Sequence, residues 1–294
     1  MKPAHFDYTL ASSIDEAIQC LADGDGEAII LAGGQTLMPM LSMRLARPDM
    51  VIDINEIPEL AGIEARDGEI VIKACTRQAA ALSSPIVNEH LPLLAKAIGN
   101  VGHLQTRNRG TVGGSLAHAD PAAEIPLAAL VLDAQVELRN VGGRRQLTMA
   151  DYFVGPMMTA RESDELLVSL RFPTVGVPAR VGTSFHEVSE RHGDFAIVAV
   201  AARITLGGDG TCQQAAVAFG GVDACPLRID GLESVLTGQN INAKILATAV
   251  DLIDDAIEPS SDQHASADYR RRVARKLAER AIMEALADAK RDLG

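Results

Sequence analysis

Two short segments with adjacent glycines constrain this chain more than any other feature: Ala32-Gly33-Gly34-Gln35-Thr36 and Gly110-Thr111-Val112-Gly113-Gly114-Ser115. Adjacent glycines let the backbone take positive φ and bring several N–H groups up to a ligand with no Cβ in the way. A helix beginning directly afterwards adds about half a positive charge at its amino end, which suits a pyrophosphate. The chain as a whole carries 27 Lys+Arg against 39 Asp+Glu, a formal net charge of −12. An anion must therefore be held by oriented amides and not by bulk positive potential. Either segment alone is an ordinary turn between strand and helix; the pair narrows the reading.

Each segment has a readable setting. Ser13 with Glu16 three residues on, then Ala17, Ile18 and Leu21, predicts a capped helix. Ala28 to Leu31 is an apolar run of strand length, and Leu37, Leu41, Arg44 and Leu45 keep a helical register after the first glycine pair, with Thr36 as the expected cap and Pro39 in the first turn. Val51 to Ile54 completes a β-α-β-like opening. Asp67-Gly68 turns into a strand from Glu69 to Lys73, and helices are expected across 76–98. The polar, glycine-rich stretch from Asn100 to Glu124 exceeds the ~12–15 residues beyond which a connection inside a compact domain is usually functional. Gln135 to Arg139 and Arg144 to Thr148 read as a hairpin with an alternating face, Leu166 to Phe172 as a strand, and Pro173 to Pro178 as a linker. Beyond Arg180, strands at Ile197 to Leu206 and Gln214 to Phe219 precede helices. The last helix runs from about Asp268 to Leu286, with Val273, Leu277, Ala281, Met283 and Leu286 on its apolar side and its arginines on a solvated face. Strands followed by helices indicate an α+β carboxy-terminal domain.

Composition and motifs remove several function classes. A net charge of −12 repels phosphodiesters and anionic headgroups, so nucleic acid and membrane surfaces are poor partners. No apolar run reaches the ~18–20 residues of a bilayer span, and the amino end has no signal-peptide pattern, so a cytoplasmic protein is expected. Cys20, Cys75, Cys212 and Cys225 form no CxxC or metal-type spacing and read as inert thiols; they cannot ligate a [2Fe–2S] centre. His103, His118 and His192 have no second ligand at metal spacing and read as loop or surface residues. Trp is absent and aromatics are 3%, which argues against a base- or sugar-stacking surface. Neither glycine segment is GxGxxG, and the Walker, GxSxG and HExxH patterns are missing.

The residues then resemble a family. Leu31-Ala32-Gly33-Gly34-Gln35-Thr36-Leu37-Met38-Pro39, with Arg44 downstream, is similar to the first flavin loop of the FAD-binding medium subunits of molybdenum hydroxylases, the carbon monoxide dehydrogenase and xanthine dehydrogenase family. Gly110 to Glu124 resembles their second loop. Thr106-Arg107-Asn108, Asp164-Glu165-Leu166-Leu167, Ser184-Phe185-His186-Glu187 and Arg191-His192-Gly193-Asp194-Phe195-Ala196 follow in family order, and the likeness spans the whole chain.

The resemblance implies an α+β fold with a vanillyl-alcohol-oxidase-like (PCMH-type) FAD-binding region of two subdomains, 1–55 and 56–176. A carbon monoxide dehydrogenase flavoprotein-type domain, 177–294, would follow. It implies that Ala32, Gly33, Gly34, Gln35 and Thr36 bind the pyrophosphate, flanked by Leu31, Leu37 and Met38, and that Val101, Gly110, Thr111, Gly113, Gly114 and Ser115 line the other side. Glu124 would meet the adenosine end, Leu167 would give a main-chain contact and Phe195 would cover the isoalloxazine face. His186 stands where many relatives carry Lys. By residue type alone, Glu124 can equally charge the first turn of a helix, and Phe195 can equally be core. The implied role is an FAD electron-transfer subunit. It would take electrons from a [2Fe–2S] small subunit, beside a molybdopterin large subunit, in a dimer of heterotrimers, and pass them to an external acceptor. A stand-alone FAD oxidase and a non-enzymatic assembly module are the alternatives.

Overall fold

Three consecutive stretches of the chain each build their own sheet, with helices packed against it. A computed structural model describes residues 2–174 and 180–291. The boundary expected after residue 176, and the expected linker beyond Thr174, lie outside them.

The first layer comprises β1 (Asp7–Leu10), α1 (Ile14–Asp23), β2 (Ala28–Leu31), α2 (Leu37–Ser42) and β3 (Met50–Asp53). β3 lies between β1 and β2 and runs parallel to both. Parallel neighbours need crossovers, and the two helices provide them. Ser13 caps α1 as expected, accepting from the Glu16 N–H at 3.1 Å. The Glu16 carboxylate reaches one residue further out, accepting from the Ser12 amide at 2.8 Å and hydroxyl at 2.6 Å, which holds it below the usual carboxylate range. Ala17, Ile18 and Leu21 then join Ile52, Ile54 and Leu60 in one apolar core.

After a 3₁₀ turn (Pro58–Leu60) come β4 (Ile63–Arg66) and β5 (Glu69–Lys73). Six helices follow: α3 (Gln78–Ser83), α4 (Pro85–His90), α5 (Pro92–Asn100), α6 (Leu104–Arg109), α7 (Val112–His118) and α8 (Glu124–Val131). β6 (Gln135–Asn140), β7 (Gly143–Thr148), α9 (Met149–Tyr152), a ribbon of β8 (Phe153–Gly155) with β9 (Met158–Thr159), and β10 (Leu166–Pro173) complete the layer. The antiparallel sheet has the order β4-β5-β10-β6-β7. Ile70, Ile72, Val136, Leu138, Leu170 and Phe172 share a core with the helices, while Lys73, Glu137, Ser169 and Arg171 take the alternate positions. The 100–124 stretch, expected as an open loop, contains two helices: Thr111 caps α7 by accepting from the Gly114 N–H at 3.0 Å. Its polarity is therefore capping chemistry as well as loop character. The alternation expected of the hairpin fails on β7, the edge strand of the sheet, where only Leu147 is half-buried.

The third layer is β11 (Arg180–Val188), β12 (Val198–Leu206), β13 (Cys212–Gly220) and β14 (Leu227–Arg228), followed by α10 (Asp230–Leu236), α11 (Ala243–Asp251), α12 (Ile253–Ala256) and α13 (Ala267–Arg291). All neighbouring strands pair antiparallel. Every residue of β12 is buried, since helices cover both its faces. α13 docks through Ala274, Ala278, Ala281, Ala285 and Ala289, and approaches so closely that a Cβ on Gly182 would strike the Ala285 carbonyl and the Ala289 amide. The seam of alanines displaces the expected register: Met283 is exposed, and Arg270 is buried, donating to the Ile197 and Gly221 carbonyls and to Asp262. Asp133, just after α8, accepts from Arg203 of β12 and Arg228 of β14 and ties the second and third layers together.

Candidate functional site

The two glycine segments meet. A Cβ on Gly33 would lie 2.6 Å from the Arg109 carbonyl, 2.8 Å from Gly110 Cα and 3.1 Å from the Thr111 amide, so the first segment backs directly onto the second. Two residues that sequence inspection missed hold them there. Asn55 Nδ2 donates to the Ala32 carbonyl at 2.7 Å, and Asn55 Oδ1 accepts from Arg77 at 2.7 Å. The other arm of the Arg77 guanidinium donates to the Arg109 carbonyl. Asn55 and Arg77 sit far from both segments in sequence, and no spacing rule connects them.

Hydrogen-bond accounting separates the roles of the segments. Five consecutive main-chain N–H groups, Gly33 to Leu37, find no acceptor among the described residues. Gly34 takes φ +71, a conformation that L side chains rarely adopt, and so turns these amides together. In the second segment the N–H groups of Gly110, Val112, Gly113 and Gly114 are already taken, by the Thr106, Thr76 and Ala74 carbonyls and by Thr111 Oγ1. Its glycines serve packing: a Cβ on Gly113 would lie 2.7 Å from Ala74 Cα. The expected cap of α2 is not made, because the Thr36 hydroxyl forms no bond to the helix. Five adjacent N–H groups without a protein acceptor, gathered by a glycine turn, form a concave set of donors suited to an anion.

These amides open into a cleft of ≈ 360 Å³. The structure brings Ala32, Gly33, Gly34, Gln35, Thr36 and Leu37 to its wall. Val101, Gly110, Thr111, Gly113, Gly114, Ser115, Glu124, Leu167 and Phe195 also line it. Phe195 is 61% exposed at this wall and is not a core residue. Leu31 and Met38 lie outside the lining and pack around Gly34, to which a Cβ would bring their Cδ1 and Cγ within 3.2 and 3.1 Å. His186 also lies outside it: its Nε2 meets Glu284 of α13 at 2.7 Å. Side chains alternate along β11, so His186 faces α13 while Glu187 faces Glu124.

The electrostatics at this wall are unusual. Glu124, 5% exposed at the start of α8, is pushed up to about 8, chiefly by burial, with Glu187 and Asp120 adding to the effect. Burial pushes Glu187 up to about 7, and its Oε2 has no partner. Near neutral pH this pair holds protons that ordinary carboxyls would release, which lowers negative charge beside the cradle. Arg161 supplies the one guanidinium of the lining, fixed by the Glu162 and Glu165 carbonyls at 2.9 and 2.7 Å. Burial opposes ionisation of the Glu165 carboxyl, but the Arg145 guanidinium and the Glu162 amide outweigh it and hold that group below the usual range. The residues present fit a dinucleotide: free amides for a diphosphate, apolar walls for rings, and few fixed charges.

Comparison with known proteins follows the same lines. Residues 4–175 match the family described as the FAD binding domain in molybdopterin dehydrogenase, and residues 183–285 the CO dehydrogenase flavoprotein C-terminal domain. The chain is 38% identical over 286 residues to the 6-hydroxypseudooxynicotine dehydrogenase complex subunit alpha of Paenarthrobacter nicotinovorans, covering 97% of this chain and 96% of that one. A solved structure of carbon monoxide dehydrogenase from Hydrogenophaga pseudoflava superposes with a TM-score of 0.94 at 34% identity, over 98% of this chain and 99% of that one. Quinoline 2-oxidoreductase from Pseudomonas putida 86 gives 0.92 at 35%, over 98% and 99%.

Proposed function

The chain belongs to the FAD-binding subunits of the molybdopterin dehydrogenases, and from that premise we propose that it is the flavin-carrying, electron-transferring subunit of a molybdenum hydroxylase complex. When bound, FAD supplies the redox chemistry; the chain binds it, orients it and shields it. The observation that carries the reading is the row of five unpartnered amides from Gly33 to Leu37 at the wall of the cleft. These would hold the diphosphate, with Thr36, Thr111 and Ser115 adding hydroxyls and Gly110, Gly113 and Gly114 letting the second segment close on the first. Glu124 would contact the adenosine end, Leu167 would give a main-chain contact, Val101 would line the second side of the dinucleotide, and Phe195 would cover the isoalloxazine.

Partner chains would supply the rest of the route: a [2Fe–2S] small subunit delivers electrons from a molybdopterin large subunit, and an external acceptor receives them. The four cysteines of this chain are free and dispersed, and no group of three or more metal-binding residues occurs among the described ones. We place the subdomain boundaries at 1–55, 56–176 and 177–294, and the assembly as a dimer of heterotrimers in the cytoplasm. No helix among the described residues is long and apolar enough to cross a membrane.

The test is co-expression of the chain with its neighbouring subunits, followed by purification and denaturation. One FAD per chain in the supernatant, flavin absorbance near about 450 nm in the native complex, and no substrate oxidation by the isolated chain are expected. A complex free of flavin would overturn the reading, and substrate turnover by the isolated chain would replace it with a stand-alone oxidase.

A further inference from the structure

A second cavity, of ≈ 510 Å³, lies on the polar face of the second sheet and shares no lining residue with the glycine cleft. Its floor is formed by β4, β5, β10, β6 and β7, and Ile14 of α1 and Glu59 of the 3₁₀ turn close it from the first layer. Five cations line it, Arg66, Lys73, Arg139, Arg144 and Arg171, against two carboxylates, Glu59 and Glu137. Such a concentration is unexpected in a chain of net charge −12.

Strand register explains how it arises. Lys73, Ser169 and Glu137 form one rung across β5, β10 and β6, and Arg139 lies directly opposite Arg144 across β6 and β7. Like charges facing each other across a strand pair destabilise a sheet unless something neutralises them. Three of the five cations have acidic partners. Arg171 meets Glu137 at 2.7 Å and Glu69 at 3.1 Å, Arg139 meets Asp15 at 2.7 Å, and Arg66 lies 3.7 Å from Glu64. Lys73 and Arg144 have no ion-pair partner among the described residues. The groove thus combines a concave shape, two uncompensated cations on the same face of the sheet, one on β5 and one on the edge strand β7, and a guanidinium fixed in place by two carboxylates.

We propose that this groove is an anion site for a small phosphate-bearing molecule. Lys73 and Arg144 grip the phosphate from two sides, and Arg171, held by Glu137 and Glu69, presents its remaining donors from the floor. A groove closed by two layers selects a compact polyanion over an extended acidic surface, which would need a flat patch. Free diphosphate and the phosphate end of a nucleotide share this chemistry.

The test uses the full chain saturated with FAD, so that the glycine cleft is filled, titrated calorimetrically with pyrophosphate and separately with ATP. The runs are made at about 20 mM and about 200 mM salt, where screening differs severalfold. Saturable binding that weakens with salt is expected. Lys73→Gln and Arg144→Gln should each weaken it about tenfold, the double variant should abolish it, and flavin content and melting temperature should stay unchanged because neither side chain has a partner to lose. Equal affinities identify a diphosphate site, and tighter ATP binding a nucleotide site. The proposal is overturned if neither probe binds saturably, if the double variant binds as well as the parent, or if only poly-glutamate binds, which would make the groove a protein-docking face. The result stands apart from the flavin reading, since Lys73 and Arg144 lie outside the glycine cleft.

Discussion

Replacing Glu124 with Gln isolates the titration of the buried carboxyl pair. In the folded chain Glu124 is 5% exposed and pushed from an ordinary 4.5 to about 8, first by burial and then by Glu187 and Asp120. A raised value means that the folded state keeps a proton that the unfolded state releases. Its stabilisation is full below the unfolded value and is lost as pH rises through the folded one. Each pH unit in that window is worth up to about 1.4 kcal/mol. From about pH 5 to about pH 8 the loss is about 3 kcal/mol, short of three full units because the unfolded carboxyl still holds some proton near pH 5 and the folded one has begun to ionise by pH 8. Gln keeps the shape of a protonated Glu and cannot titrate. Urea unfolding of the flavin-free chain should therefore show Glu124→Gln gaining about 3 kcal/mol on the parent across that range, with no further gain above about pH 9. Glu187→Gln should repeat the sign at a lower midpoint, in line with its value of about 7. A stability difference between Glu124→Gln and the parent that stays constant within about 0.5 kcal/mol from pH 5 to pH 8 would refute the burial argument.

Further expectations concern other parts of the molecule. Gly34→Ala meets only the flexible ends of Leu31 and Met38 but forces a side chain to φ +71. It should cost about 1–2 kcal/mol and lose FAD from the purified chain, whereas retained stoichiometric flavin would count against the cradle. Gly113→Ala drives a Cβ to 2.7 Å from Ala74 Cα. It should therefore lower the melting temperature through about 1–3 kcal/mol of overpacking whether or not flavin is present. Asp133→Ala strips the acid from Arg203, which is 4% exposed, and should lose about 1–3 kcal/mol in denaturant unfolding, with Asp133→Asn intermediate. Burial pushes the thiols of Cys75 and Cys212 up to about 12 and about 11. A thiol reagent at about pH 8 should spare both in the native chain and label all four cysteines after unfolding.

Much of the site was legible along the chain because its backbone chemistry is local. A glycine pair directly after an apolar run of four, followed by a helical register at Leu37 and Leu41, marks a tight turn with exposed amides, and the structure puts Ala32 to Leu37 on the cleft wall. The same reasoning misjudged the second pair. Thr111 and the carbonyls of Ala74, Thr76 and Thr106 consume its amides, and two of those four partners, Ala74 and Thr76, are distant enough to be invisible to local pattern. Asn55 and Arg77, which tie the segments together, were missed for that reason. His186 and Glu187 show a finer limit: a one-residue choice of strand face sends one side chain to α13 and the other toward Glu124.

Short-range rules thus determined the first glycine turn with the strand and helix that flank it, where α1 begins, and that an anion would be met by amides in so acidic a chain. Tertiary structure decided what those segments do. It backed one glycine turn onto the other, left five amides free on only one of them, brought the half-buried Glu187 into the field of the buried Glu124, and gathered five cations into a groove on a sheet whose strands lie far apart in sequence. The physical reason is that hydrogen-bond partners, burial and charge proximity are properties of neighbours in space, while turn and helix preferences are properties of neighbours along the chain.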